Sequence, residues 1–138
     1  MSVFRFKKFN VVNERSAMKV NTDGVILGAA MTILPSDRSM LDVGTGTGTI
    51  ALMAAQRFLD CARQSANSLG GQSENGNGLR IDAIDIDEAS ATEAGANFSS
   101  SPWSAFLNAH HSPLEEFAVT TDAEYDLIFS NPPYFEDS

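Results

Sequence analysis

The period of the hydrophobic positions changes repeatedly along the chain. Residues 3–12 (Val3-Phe4-Arg5-Phe6-Lys7-Lys8-Phe9-Asn10-Val11-Val12) alternate roughly between apolar and polar. That two-residue period predicts a half-buried strand or hairpin. Thr22 and Asp23 precede an apolar run rich in small residues, Gly24 to Met31. Either can cap a helix running to about Leu34, which Pro35 and Ser36 stop. From Ser39 onward a unit repeats. Ser39 to Val43 is a short apolar strand, Gly44 to Gly48 a glycine-rich turn, and Thr49 to about Ala62 has helical spacing. Leu79 to Ile86 predicts a second strand and Asp87 to about Phe98 a second helix. Ser104 to Ala109 follows as a third strand, then a short helical turn near Pro113 to Val119, and Tyr125 to Ser130 as a fourth strand. Strands alternating with helices predict an α/β fold, a Rossmann-like parallel sheet with flanking helices.

Residues 65–78 are turn-rich and of low complexity, and read as a flexible insertion within one domain spanning 1–138. Within it, 1–34 forms an N-terminal segment and 39–138 a core. With 138 residues the chain can bury a core without staples, and the lone Cys61 rules out an internal disulfide or a multi-cysteine zinc site. No metal is expected. No run is long and apolar enough to span a membrane, and no signal peptide is visible, so a cytoplasmic protein is expected.

Charge changes the picture by its distribution. The net charge is −9, which by itself speaks against a polyanionic partner. Yet Arg5, Lys7, Lys8, Arg15 and Lys19 all fall in the first 19 residues, with Glu14 the only acid there. A basic arm on an acidic body is either a phosphate-contacting edge or simply a solvated strand pair.

Two short stretches carry candidate chemistry. The first is Asp42-Val43-Gly44-Thr45-Gly46-Thr47-Gly48, at the strand end where open α/β sheets bind ligands. A dinucleotide fingerprint would need glycine at position 49, where Thr49 stands, so a nicotinamide enzyme is disfavoured. Asp85, with Ile86 beside it, ends the second strand. A carboxylate there can accept both hydroxyls of a ribose. Asp87 reads as the cap of the following helix, Asp82 as a residue facing solvent, and His110 and His111 as solvent-side histidines.

The second stretch is Asn131-Pro132-Pro133-Tyr134, directly after the fourth strand. The prolines fix the backbone and remove two donors, leaving the Asn131 side-chain oxygen and the Pro132 carbonyl as acceptors. Two acceptors gripping the hydrogens of a delocalised nitrogen can hold it in line for attack and favour the charge that grows on it. Tyr134 offers a flat face for a planar substrate.

The spacing Asp-x-Gly-x-Gly-x-Gly resembles the motif of class I S-adenosylmethionine-dependent methyltransferases. Joined to Asn-Pro-Pro-Tyr, it resembles those acting on amino groups, whether adenine N6, guanine N2 or a protein glutamine N5. Phe4-Arg5-Phe6-Lys7-Lys8-Phe9, Met18 to Ala29 and Asn97 to Trp103 are similar to the bacterial tRNA adenine-N6 methyltransferases that modify the base beside the anticodon of a valine tRNA. The resemblance implies S-adenosylmethionine as cofactor and tRNA as partner, contacted partly by the basic N-terminal segment. It implies cofactor contacts from Thr22, Asp23, Asp42, Gly44, Thr45, Gly46, Gly48, Asp85 and Ile86, and catalysis by Asn131, Pro132, Pro133 and Tyr134. The alternatives are a glutamine-N5 protein methyltransferase and a cofactor-binding fragment without activity. The chain departs from the family at Pro113, where an acid that contacts the cofactor's adenine is usual; Ser112 or a backbone amide would then substitute. The family has about seven strands in the order 3-2-1-4 at this end. Four core strands therefore lead to the expectation of a C-terminally truncated chain, with strand four an exposed edge able to self-associate.

Overall fold

The computed structural model describes residues 3–5, 9–14, 22–68 and 78–131. The first period-two segment forms two short strands, β1 (Val3–Arg5) and β2 (Asn10–Val12), paired antiparallel with Val3 opposite Val12. Helix α1 spans Thr22–Ala30. Thr22 and Asp23 occupy its first turn rather than capping it from outside. It ends at Ala30, four residues short of the expected Leu34. Asp37 then closes a tight turn, its carboxylate accepting from the Leu34 N–H at 2.8 Å.

The repeating unit gives β3 (Ser39–Val43), α2 (Thr49–Ser68), β4 (Arg80–Asp85), α3 (Glu88–Ser99), β5 (Leu107–His111), α4 (Leu114–Thr120) and β6 (Leu127–Ser130). Helix α2 runs six residues past the predicted end at Ala62, into the segment expected to be an insertion. Neither glycine nor proline occurs between Thr49 and Gly70, so nothing breaks it earlier. The expected flexibility of the rest of 65–78 falls mostly on 69–77, outside the described residues. Asp87 caps α3 as expected, its side chain accepting from the Ser90 N–H at 3.1 Å. The third core strand begins at Leu107 rather than Ser104. Ser104–Phe106 form a single 3-10 turn, closed by the Phe106 N–H on the Trp103 carbonyl. Trp103 is buried edge-on against Phe9, and this anchor turns the chain before the strand can start.

Strands β5, β4, β3 and β6 line up in that order, all parallel. This is the expected sheet. Met40, Ile81, Ala83 and Phe129 face α2 and α3, and pack with Ile50, Leu52, Phe58 and Phe98. Leu41 and Ile84 face the other way, toward Phe117 of α4. With both faces covered, β4 is buried from Ile81 to Ile84.

That double burial overturns the reading of Asp82 as a solvent-facing residue: it is 0% exposed. One carboxylate oxygen accepts from the Tyr125 hydroxyl at 2.6 Å and from Arg80 Nε at 3.0 Å. His110 Nε2 lies 3.5 Å from the other. His110 is therefore half-buried between Asp82 and the Phe117 ring, while His111 is exposed as expected. Burial and the neighbouring Asp82 carboxylate push the Tyr125 hydroxyl up to about 12, so it stays a donor.

Candidate active site

The site is built where β3, β4 and β6 end side by side. Beyond Val43 the chain must turn sharply into α2, and Gly44, Gly46 and Gly48 take φ of 73°, 56° and 86° there. Gly48 is required twice over. Its backbone is left-handed, and a Cβ would stand 2.6 Å from the Phe98 ring. At Gly44 nothing lies within 4 Å of that position, so the turn is open on its outer side. The N–H groups of Gly44 and Thr45 both donate to the Ile84 carbonyl, at 2.9 and 3.0 Å, which ties the turn to the end of β4.

Two carboxylates flank the turn. Asp85 Oδ2 accepts from the Gly46 N–H at 2.8 Å, and its Oδ1 accepts from the Asp87 N–H at 2.9 Å. Each oxygen keeps a lone pair for a further donor. Asp42 is almost fully buried, and one oxygen accepts from the Thr45 hydroxyl at 2.8 Å. The other has no hydrogen-bond partner among the described residues. Burial, reinforced by the charge of Asp85, raises the Asp42 carboxyl to about 7, against the smaller opposing pull of the Thr45 hydroxyl. An unpartnered buried acceptor costs free energy unless something supplies a positive charge or a donor. This carboxylate pair therefore fits a ligand that carries positive charge and hydroxyl groups.

Ile86 follows as an exposed apolar lip, 74% accessible. Its carbonyl meets His111 Nε2 at 3.1 Å, while the Ser112 N–H donates to the Asp85 carbonyl at 2.9 Å. The Ser112 hydroxyl is turned onto the Pro113 carbonyl. On the other side of β3, Val43 is opposite Ser130, whose hydroxyl donates to the Val43 carbonyl at 2.9 Å. Asn131 is the next residue, half-buried, level with the start of the glycine turn.

The structure thus brings Asp42, Gly44, Thr45, Gly46, Gly48, Asp85, Ile86 and Asn131 to one end of the sheet. Thr45 contributes by holding Asp42. Pro132, Pro133 and Tyr134 lie outside the described residues, as do the side chains of Thr22 and Asp23. Asn97 was not singled out by the residue pattern as part of this site. Its amide donates to the Thr47 carbonyl inside the turn, 50 residues earlier in the chain. The available signal was weak, because Asn97 shares the buried side of α3 with Ala94 and Phe98 but also with the polar Ser90 and Glu93.

Residues 29–137 match the family model described as RMKL-like, methyltransferase domain. Over 136 residues the chain is 42% identical to the tRNA1(Val) (adenine(37)-N6)-methyltransferase of Flavobacterium psychrophilum, covering 99% of this chain and 50% of that protein. The protein of the same name from Serratia proteamaculans is 44% identical over 133 residues, covering 96% of this chain and 44% of that one. The chain thus spans about half the length of the curated relatives it matches. Among solved structures, the O-methyltransferase of Bacillus cereus in complex with SAH superposes with a TM-score of 0.53 at 16% identity. That match covers 85% of this chain and 47% of the other, and shows the fold. With a family model matching most of its residues, around a sheet of the methyltransferase kind, the chain belongs to the RMKL-like methyltransferase domain family.

Proposed function

We propose that the chain transfers a methyl group from S-adenosylmethionine to the exocyclic N6 of an adenine in tRNA. The observation that carries the reading is Asn131, one residue beyond the Val43–Ser130 pair and so beside the glycine turn. The names of the relatives point to the same reaction. When bound, S-adenosylmethionine supplies an electrophilic methyl on a sulfonium sulfur. Asp42, held by Thr45, offers its free oxygen to the positive end of the ligand. Gly44, Gly46 and Gly48 keep the turn thin enough for close approach. Asp85 takes the ribose hydroxyls, and Ile86 presents an apolar face to the adenine. Thr22 and Asp23 cover the methionine end.

The Asn131 oxygen and the Pro132 carbonyl accept the two N6 hydrogens of the target base. Pro133 fixes the backbone and Tyr134 stacks on the ring. The two acceptors would hold the target nitrogen in line with the methyl group that the cofactor would supply, and the extra proton on nitrogen would then leave to water. The two acceptors favour the positive charge that builds on nitrogen meanwhile. The basic residues of the N-terminal segment (Arg5, Lys7, Lys8, Arg15, Lys19) contact tRNA phosphates. The chain acts as one methyltransferase unit in the cytoplasm; no helix among the described residues is long and apolar enough to cross a membrane. The proposal extends to β6, whose outer edge pairs with a second copy.

The test is incubation of the full chain with methyl-labelled cofactor and unmodified tRNA, followed by nucleoside analysis. The account expects labelled N6-methyladenosine, reduced about 100-fold or more in Asn131→Ala. Label on a release-factor glutamine with none in tRNA would favour the amide-methylating alternative. Cofactor binding without transfer to either would reduce the chain to a binding module.

A further inference from the structure

We propose that Asn97 is a positioning residue that joins the glycine turn to the N-terminal strand pair, so that the strand pair sets the affinity of the turn for its ligand. The inference rests on the reading of that turn as the cofactor site.

Asn97 is buried in the last turns of α3. Its Nδ2 donates to the Thr47 carbonyl at 2.8 Å and to the Val12 carbonyl at 3.0 Å, and its Oδ1 accepts from the Val12 N–H at 2.8 Å. Three bonds from one amide thus clamp two segments that are otherwise remote in sequence. One turn earlier on the same helix, Glu93 Oε2 accepts from the Glu14 N–H at 2.9 Å. One residue later, the Phe98 ring fills the space that a Cβ on Gly48 would need. The end of α3 therefore shapes the turn and seats β2 with neighbouring side chains.

Asp85 reaches the turn only at the Gly46 N–H, and the Thr47 carbonyl is held separately. Asp85 fixes Gly46 through its N–H, and Asn97 fixes the next carbonyl. A turn held at both points is pre-organised and loses less freedom when a ligand binds. Val12 takes both remaining bonds of the same amide, so the position of β2 determines where that amide sits. Packing alone would not need this residue. A buried amide costs free energy unless each polar atom is matched, and here one bond goes to the turn and two go to the strand pair.

The experiment is a double-mutant cycle on the full chain, read by calorimetric titration with S-adenosylhomocysteine. Asn97→Ala breaks the link at its centre. Val12→Pro removes one N–H from the strand side and leaves the turn untouched. The inference expects Kd to rise about tenfold in Asn97→Ala and about threefold in Val12→Pro. The double variant should bind no more weakly than Asn97→Ala, because the two changes cut the same connection. Wild-type affinity in Val12→Pro, or penalties that multiply, would overturn it. A purely structural role for Asn97 predicts that multiplication. Should Val12→Pro fail to fold, amide exchange in the wild-type chain replaces it. Saturating S-adenosylhomocysteine should slow exchange at Val12, and unchanged exchange would overturn the inference. Failure of the wild-type chain to bind S-adenosylhomocysteine would instead remove the cofactor reading, and this inference with it.

Discussion

Asp42 carries the sharpest consequence of a single residue. Its carboxyl titrates at about 7 rather than 3.8, chiefly because it is buried. The unfolded chain ionises this group freely above its ordinary value, whereas the fold resists the charge. The ligand-free protein therefore loses stability through Asp42 as pH rises from about 4 to about 7, and loses nothing below that window. A cationic ligand reverses the preference, because positive charge beside the carboxylate favours ionisation. Affinity for S-adenosylmethionine should rise between about pH 6 and about pH 8, and Asp42→Asn should bind more weakly with a flattened profile. Calorimetric titration across that range checks both. The motif acid and the glycines were legible because their spacing is local. Asp85 and Asp87 could be told apart because one closes a strand and the other opens a helix. Asp82 was not legible, since a strand covered on both faces has no polar side to betray which residues are buried. Asn97 was hidden for another reason: its partners lie 50 and 85 positions away.

At the scale of elements, the glycine turn and α3 are one packed unit, and two alanine substitutions separate its causes. Both Gly44 and Gly48 have positive φ, but only Gly48 abuts the Phe98 ring, at 2.6 Å from a would-be Cβ. Gly44→Ala should cost about 1 kcal/mol from backbone strain alone, and Gly48→Ala about 2–4 kcal/mol from strain plus the clash. Thermal or denaturant unfolding measures the difference, and equal costs would contradict the packing described. Order and type of the elements followed from the hydrophobic period, but their ends did not. Strand β5 starts late because Trp103 is held by Phe9, far away in the sequence, and no local pattern signals that contact. Helix α2 persists past Ala62 because neither glycine nor proline interrupts it before Gly70.

For the molecule as a whole, the sheet order β5-β4-β3-β6 puts the two candidate motifs on neighbouring strands. That adjacency follows from the parallel topology, and the sequence motifs acquire a common location only through it. The same order leaves β6 at the edge of the described sheet, with Ile128 60% exposed. An apolar edge is a template for a further strand. Sedimentation should detect dimers that weaken in Ile128→Lys, and a monomer at all concentrations would contradict pairing through this edge. The most direct measurement of the central claim is a crystal structure of the full chain with S-adenosylhomocysteine. The account predicts the ligand along the glycine turn, its ribose on Asp85, and its sulfur separated from the Asn131 side chain by no more than room for a methyl group and a planar amine. A ligand bound away from the ends of β3 and β6, with Asn131 out of reach of its sulfur, would contradict it.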